Sequence, residues 1–127
     1  MFDLSPVLDQ LSVPGNFDIA VPEYFNFGVD VIDARAADGD KTAYIWVDRS
    51  GSVVEHHSFS DLSQASTRFA NVLHQIGARK GDCAVVIMPR VPAWYEVVIG
   101  CIKAGVVAMP GTNLLTAKDI EYRINKS

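Results

Sequence analysis

Between Gly81 and Thr112 the apolar positions run almost without interruption, in blocks separated by proline and glycine. Cys83 to Met88 is a short, continuous apolar run of the kind that forms a strand covered on both faces of a parallel sheet. Pro89 ends it. Pro92 has the fixed φ and missing N–H that suit the first turn of a helix, Trp94 to Ala104 is nearly all apolar, and Gly105 can take the left-handed conformation that stops one. Val106 to Met109 reads as a second buried strand, closed by Pro110 and Gly111. Two strands joined through such a helix are parallel neighbours. The stretch therefore predicts a parallel strand-helix-strand unit, and the fold class is α/β.

Upstream, the period changes. Phe25, Val29, Ile32 and Ala36 recur at helical spacing, with Asn26 placed to cap the start and Asp38-Gly39-Asp40 to end an amphipathic helix of about three turns. Ala43 to Val47 and Val53 to Ser58 are β-rich runs separated by Asp48-Arg49-Ser50-Gly51-Ser52, where Gly51 fits a positive-φ position, so they predict an antiparallel hairpin. Ser58 and Asp61 form an Asp version of the capping box before a helix whose apolar face is Phe59, Leu62, Ala65, Phe69, Val72, Leu73 and Ile76, ending at Gly77. Thr116 can cap a last helix in which Ile120 and Ile124 share a face. Residues 1–22, with Pro6, Pro14, Gly15 and Pro22 among scattered apolar residues, read as an irregular N-terminal arm. Residues 23–127 form the α/β part. Two parallel strands make too small a sheet to cover both faces, so a piece of a larger α/β protein is expected over a complete small domain.

Charge and composition narrow the partners. The chain has 127 residues, 49% of them hydrophobic, and a net charge of −4 with no cluster of Lys or Arg. Such a balance gives no electrostatic footprint for nucleic acid or an anionic membrane. The apolar stretch from Val91 to Met109 is interrupted by Glu96, Gly100, Lys103 and Gly105, which argues against a membrane span. Acidic Asp3 and the lack of a sustained apolar core at the N-terminus are unlike a secretory signal, so a cytoplasmic protein is expected. Cys83 and Cys101 read as two reduced, packed thiols. His56, His57 and His74 have no metal-ligand spacing, and on a strand His56 and His57 point to opposite faces.

Residue chemistry by itself shows no active site. Gly77-Ala78-Arg79-Lys80-Gly81-Asp82 has phosphate-loop ingredients, but its place between a helix end and a strand makes it a helix cap and strand lead-in. There is no G-x-G-x-x-G after a strand and no G-x-S-x-G. Asp30 with Asp33, and Asp38 with Asp40, read as solvated carboxylates on a helix face and in a turn. Trp94 and Tyr95 at the start of an apolar helix read as core or interface residues.

The order of the segments adds what single motifs do not. Ser58-Phe59-Ser60-Asp61-Leu62, Gly81-Asp82-Cys83-Ala84-Val85, Met88-Pro89-Arg90-Val91-Pro92, Lys103-Ala104-Gly105, Met109-Pro110-Gly111-Thr112 and Asp119-Ile120-Glu121-Tyr122-Arg123-Ile124 together resemble the N-terminal region of AMP-forming acyl-CoA synthetases. Within the adenylate-forming superfamily the chain is most similar to the medium-chain acyl-CoA synthetases, which share the Phe25-Asn26-Phe27 lead-in. The resemblance implies part of an adenylate-forming enzyme fold, ending before the nucleotide-binding motifs, and an acid–thiol ligase. Its reaction would activate a medium-chain fatty or aromatic carboxylic acid with ATP and Mg2+ to an acyl-adenylate, then transfer the acyl group to CoA. The implied catalytic and metal-binding residues are not in this sequence, so the 127 residues alone are expected to be inactive and to bind none of these tightly. The resemblance places the loop Thr112, Asn113 and Leu114 on the CoA side of the site, with backbone contact expected at apolar Leu114. Read by themselves, Gly111 and Thr112 suit a plain strand-to-helix turn better than a CoA contact. Two alternatives stand beside this reading: an adenylate-forming enzyme with a carrier-protein or oxidative acceptor, and a non-catalytic interaction module. Exposed sheet edges would let such a module associate with a partner or as a homo-oligomer.

Overall fold

The computed structural model describes residues 22–39 and 41–127. The expected arm through position 21, and Asp40 of the expected helix stop, lie outside the described residues. The elements in order are a π-helical segment Phe27–Asp33, α1 (Ala34–Ala37), β1 (Thr42–Val47), β2 (Val54–Ser58), α2 (Phe59–Gln75), β3 (Cys83–Ile87), α3 (Pro92–Ala104), β4 (Val107–Gly111) and α4 (Ala117–Lys126). They build two two-stranded sheets, an antiparallel β1–β2 hairpin and a parallel β3–β4 pair.

The turn and cap chemistry acts where the sequence placed it. Asp48 accepts from Ser50 Oγ and from the Val53 N–H, while Gly51 takes φ 76°. Ser58 and Asp61 close a full capping box on α2, and Thr116 with Asp119 closes another on α4. Each satisfies N–H groups that a helix start leaves without partners. Asp61 and Asp119 are held below the usual carboxylate range, chiefly by the hydrogen bonds from Ser58 and from Thr116. Gly105 ends α3 at φ 72° and Gly77 follows α2 at φ 88°. Pro110 lies within β4, opposite Val86, a position that an edge strand tolerates.

Helices α2 and α3 pack on one face of the parallel pair. Ala70, Leu73, Cys101, Ala104 and Val106 form the core there, with Ala84 and Ala108 of the sheet against them. Among the described residues the expected coverage of both strand faces is met on one face only: Val86 is the one buried residue of β3, and Val107 of β4 is half exposed. Two helices cover only the face they pack on. The same geometry corrects the thiols. Both are free, but Cys101 is buried in the core and Cys83 is exposed.

The face of α2 is largely the expected one, with Leu62, Ala65 and Leu73 buried, but it differs at two positions. Val72 and Ile76 are 47% and 74% exposed, whereas Ser66 and Ala70 are buried. The cause lies on α3, where a Cβ on Gly100 would come within 2.8 Å of the Ser66 carbonyl and of the Phe69 ring. Small residues let the two helices approach closely, and the buried Ser66 hydroxyl donates to the Leu62 carbonyl at 2.6 Å.

The first helix is π-wound rather than regular. Asn26 caps it as expected, its Oδ1 accepting from the Gly28 N–H, but Asn26 Nδ2 also donates to the Ile102 carbonyl at 2.9 Å. At the other end Asp33 accepts from Lys103 Nζ at 2.5 Å and from Ser63 Oγ at 2.6 Å. Both ends are thus tied to the α2–α3 pair, a demand that local spacing does not encode. Asp33 is therefore not a solvated carboxylate. Lys103 keeps only 6% of its side chain exposed and also donates to the Ser63 carbonyl and to Thr67 Oγ1. Asp30 and Asp38 are exposed as expected.

Candidate functional site

At the C-terminal ends of β3 and β4 the chain leaves an open cleft of about 550 Å³. This is the edge of a parallel sheet where ligands of open α/β folds bind, and the volume lies within the range of small-molecule sites. Trp46 of β1 forms one wall, Met88 to Val91 after β3 another, and Trp94 and Tyr95 come from the first turn of α3. Pro110 to Asn113 close the side after β4. Of the expectation that Trp94 and Tyr95 are core or interface residues, the core half is corrected: Trp94 is half-buried and Tyr95 exposed, because the helix start they occupy opens onto the cleft. Both tryptophans of the chain line it.

An aromatic series fixes these walls. His57 stacks on Tyr44 with centroids 4.6 Å apart, Tyr44 meets Tyr95 at 4.7 Å, and Tyr95 meets Trp94 edge-on at 5.2 Å. Such pairs gain beyond the area they bury. His57 is half-buried in this stack while His56 is exposed. Trp46 Nε1 donates to the Arg90 carbonyl at 3.0 Å, and the Tyr44 hydroxyl reaches the Pro92 carbonyl at 3.5 Å. Burial, with a smaller contribution from the Glu96 carboxylate, pushes the Tyr44 phenol up to about 12. It stays neutral at ordinary pH. Arg90 is the one charged residue among those lining the cleft, so the cleft favours an anionic ligand with an apolar or flat part.

A family model for the AMP-binding enzymes matches residues 32–127. The chain belongs to the AMP-binding enzyme family. Acyl-coenzyme A synthetase ACSM3, mitochondrial, of Pongo abelii is 39% identical over 124 residues, covering 91% of this chain and 21% of that protein. Acyl-coenzyme A synthetase ACSM1, mitochondrial, of Mus musculus is 40% identical over 139 residues, covering 99% of this chain and 24% of that protein. The chain thus spans about a fifth to a quarter of the length of these relatives. The crystal structure of a fatty acid AMP ligase from Legionella pneumophila superposes on 78% of this chain and 18% of its own, with a TM-score of 0.68 and 24% identity. It shares the fold. The resemblance read from the ordered segments is therefore correct at the family level, as is the mixed α/β class.

Within this AMP-binding enzyme chain, Thr112 and Asn113 stand at the cleft, while Leu114 is 84% exposed and outside its lining. Thr112 Oγ1 accepts from the Leu114 N–H at 3.2 Å, so the same loop also shapes the turn towards α4. Trp46 and the Met88–Val91 loop were not singled out as site residues by sequence. Their signal was present in the pair Tyr44 and Trp46, two apart on one strand and so on one face. The Gly77–Asp82 segment is a cap and lead-in: Arg79 N–H bonds Asp82 Oδ2, and the Gly81 N–H bonds the Gly105 carbonyl. Among the described residues no group of three or more His, Cys, Asp or Glu could hold a metal ion. Among them, too, no helix is long and apolar enough to cross a membrane.

Proposed function

We propose that residues 23–127 form part of the N-terminal subdomain of an AMP-forming acid–thiol ligase. The enzyme activates a medium-chain fatty or aromatic carboxylic acid with ATP and passes the acyl group to CoA. The observation that carries this reading is the cleft at the strand ends, built from residues inside the family match and rimmed by a single cation. In this reading Thr112, Asn113 and the Leu114 backbone face the CoA side. ATP, with its magnesium, is held by residues outside these 127, and neither ATP nor CoA binds tightly to the 127-residue chain alone. Fixing the carboxylate against the α-phosphate supplies the rate, by orientation and by charge neutralisation.

ATP–pyrophosphate exchange tests it, measured with residues 1–127 and with the polypeptide of the complete reading frame. Exchange is expected from the complete polypeptide only, and its absence there would refute the ligase assignment. Parallel transfer assays to CoA and to a phosphopantetheinyl carrier identify the acceptor, CoA being expected. The exposed apolar side chains Ile45, Val47, Val54 and Val107 support burial against further polypeptide or a second copy. Light scattering of the complete polypeptide decides between a monomer and a homo-oligomer. A cytoplasmic location is part of this proposal, and cell fractionation that finds the protein in an organelle, as in the names of its mitochondrial relatives, would overturn it.

A further inference from the structure

The loop from Met88 to Val91 enters α3 with little support of its own. Val91 at the N-cap position has an extended backbone, φ −118° and ψ 161°, and its side chain makes no capping bond. Pro89 and Pro92 have no N–H to donate. The loop's own bonds are Val91 N–H to the Pro89 carbonyl and Trp94 N–H to the Val91 carbonyl, both 2.9 Å. Support comes from the hairpin instead. Tyr44 and Trp46 project from one face of β1, and the indole N–H of Trp46 holds the Arg90 carbonyl at 3.0 Å, with the Tyr44 hydroxyl near the Pro92 carbonyl. Ile45, between them, is exposed on the opposite face.

Arg90 is the one charged lining residue of the cleft, and its backbone position is set by a side chain more than forty residues away in sequence. We propose that Trp46 is a positioning residue for the acyl acceptor: by fixing the Arg90 carbonyl it places the Arg90 guanidinium to receive the phosphates of a nucleotide-bearing thiol. This inference rests on the ligase reading above and assigns a role to two residues of the same cleft. A guanidinium pairs with phosphate through a planar fork, so its orientation matters as much as its charge. A loop free to shift would keep the charge and lose the orientation.

The test uses the polypeptide of the complete reading frame, with two thiol acceptors: CoA, which carries phosphates, and pantetheine, which does not. Arg90→Gln is expected to lower the ratio of kcat/KM for CoA to that for pantetheine about tenfold, as loss of a charged hydrogen-bond partner would. Trp46→Phe keeps a ring and removes the donor, and is expected to lower the same ratio about fivefold, with the change in KM. Ile45→Thr should leave the ratio at its wild-type value. Where Trp46→Phe fails to fold, a benzothienyl analogue of tryptophan at position 46 keeps the bicyclic ring and removes only the N–H. A Trp46 variant that lowers both acceptors equally, or neither, overturns the positioning role. Wild-type enzyme that transfers to neither thiol overturns the ligase reading itself.

Discussion

The two ends of α3 meet different surroundings. Its C-terminal half, Ile99 to Ala104, lies against α2, where Cys101 is fully buried, Gly100 leaves no room for a Cβ beside the Ser66 carbonyl and Lys103 is enclosed by Asp33, Ser63 and Thr67. Its N-terminal turn, with Trp94 and Tyr95, opens onto the cleft and is held by contacts from β1. One end is fixed by close packing and a satisfied buried charge, the other by a few directed aromatic and hydrogen-bond contacts. A helix can therefore anchor a domain with one half and form the wall of a cleft with the other. Close packing and cleft lining are separated along its axis.

Substitutions can break that contrast. The largest effect is expected from Asp33→Ala, which leaves the Lys103 ammonium enclosed without its carboxylate and should cost about 3 kcal/mol in urea unfolding. A loss below about 1 kcal/mol would show that the ammonium escapes to water, as exposed pairs allow. Gly100→Ala comes next, at about 2 kcal/mol, because its methyl would overlap the Ser66 carbonyl across the helix pair. Ser58→Ala should cost about 1 kcal/mol by removing the α2 cap.

The cap also makes a pH prediction. The Asp61 carboxyl titrates lower in the folded protein than its ordinary 3.8, so its contribution is fully present above that value and is lost as pH falls through the folded pKa. Asp61→Asn should flatten that acid limb of the unfolding curve. The smallest effect belongs to the other end of the comparison: Asn113→Ala, at the open cleft, should change stability by less than about 0.5 kcal/mol. A larger loss there would mean that the cleft wall bears part of the fold, and that the separation along α3 is not real.

Elements written in local chemistry were readable in advance. The capping box at Ser58, the cap at Thr116, the stops at Gly77 and Gly105, the Gly51 turn and the parallel pairing around α3 all depend on a few neighbouring residues or on period. The misreadings share one cause. Val72 and Ile76 have the right spacing but face outward, Asp33 has the look of a surface carboxylate but answers Lys103 seventy positions away, and Trp94 and Tyr95 sit in an apolar helix yet line a cleft. Each depends on what a distant segment brings alongside. Half of the candidate site was legible in the same sense: Thr112 and Asn113 follow from segment order, but Trp46 joins them only when the hairpin folds over the strand ends.

The sequence by itself determined the elements, their caps and the family, because hydrophobic period, turn residues and segment order are local or ordinal properties of the chain. Tertiary structure alone decided that Ser66 and Ala70 of α2 are buried while Val72 is left outside, that Lys103 is enclosed rather than solvated, and that β1 reaches the Arg90 loop to shape the cleft. Those outcomes arise from close packing and directed bonds between segments far apart in sequence, whose strength depends on distance and burial, and neither quantity is written in the order of residues.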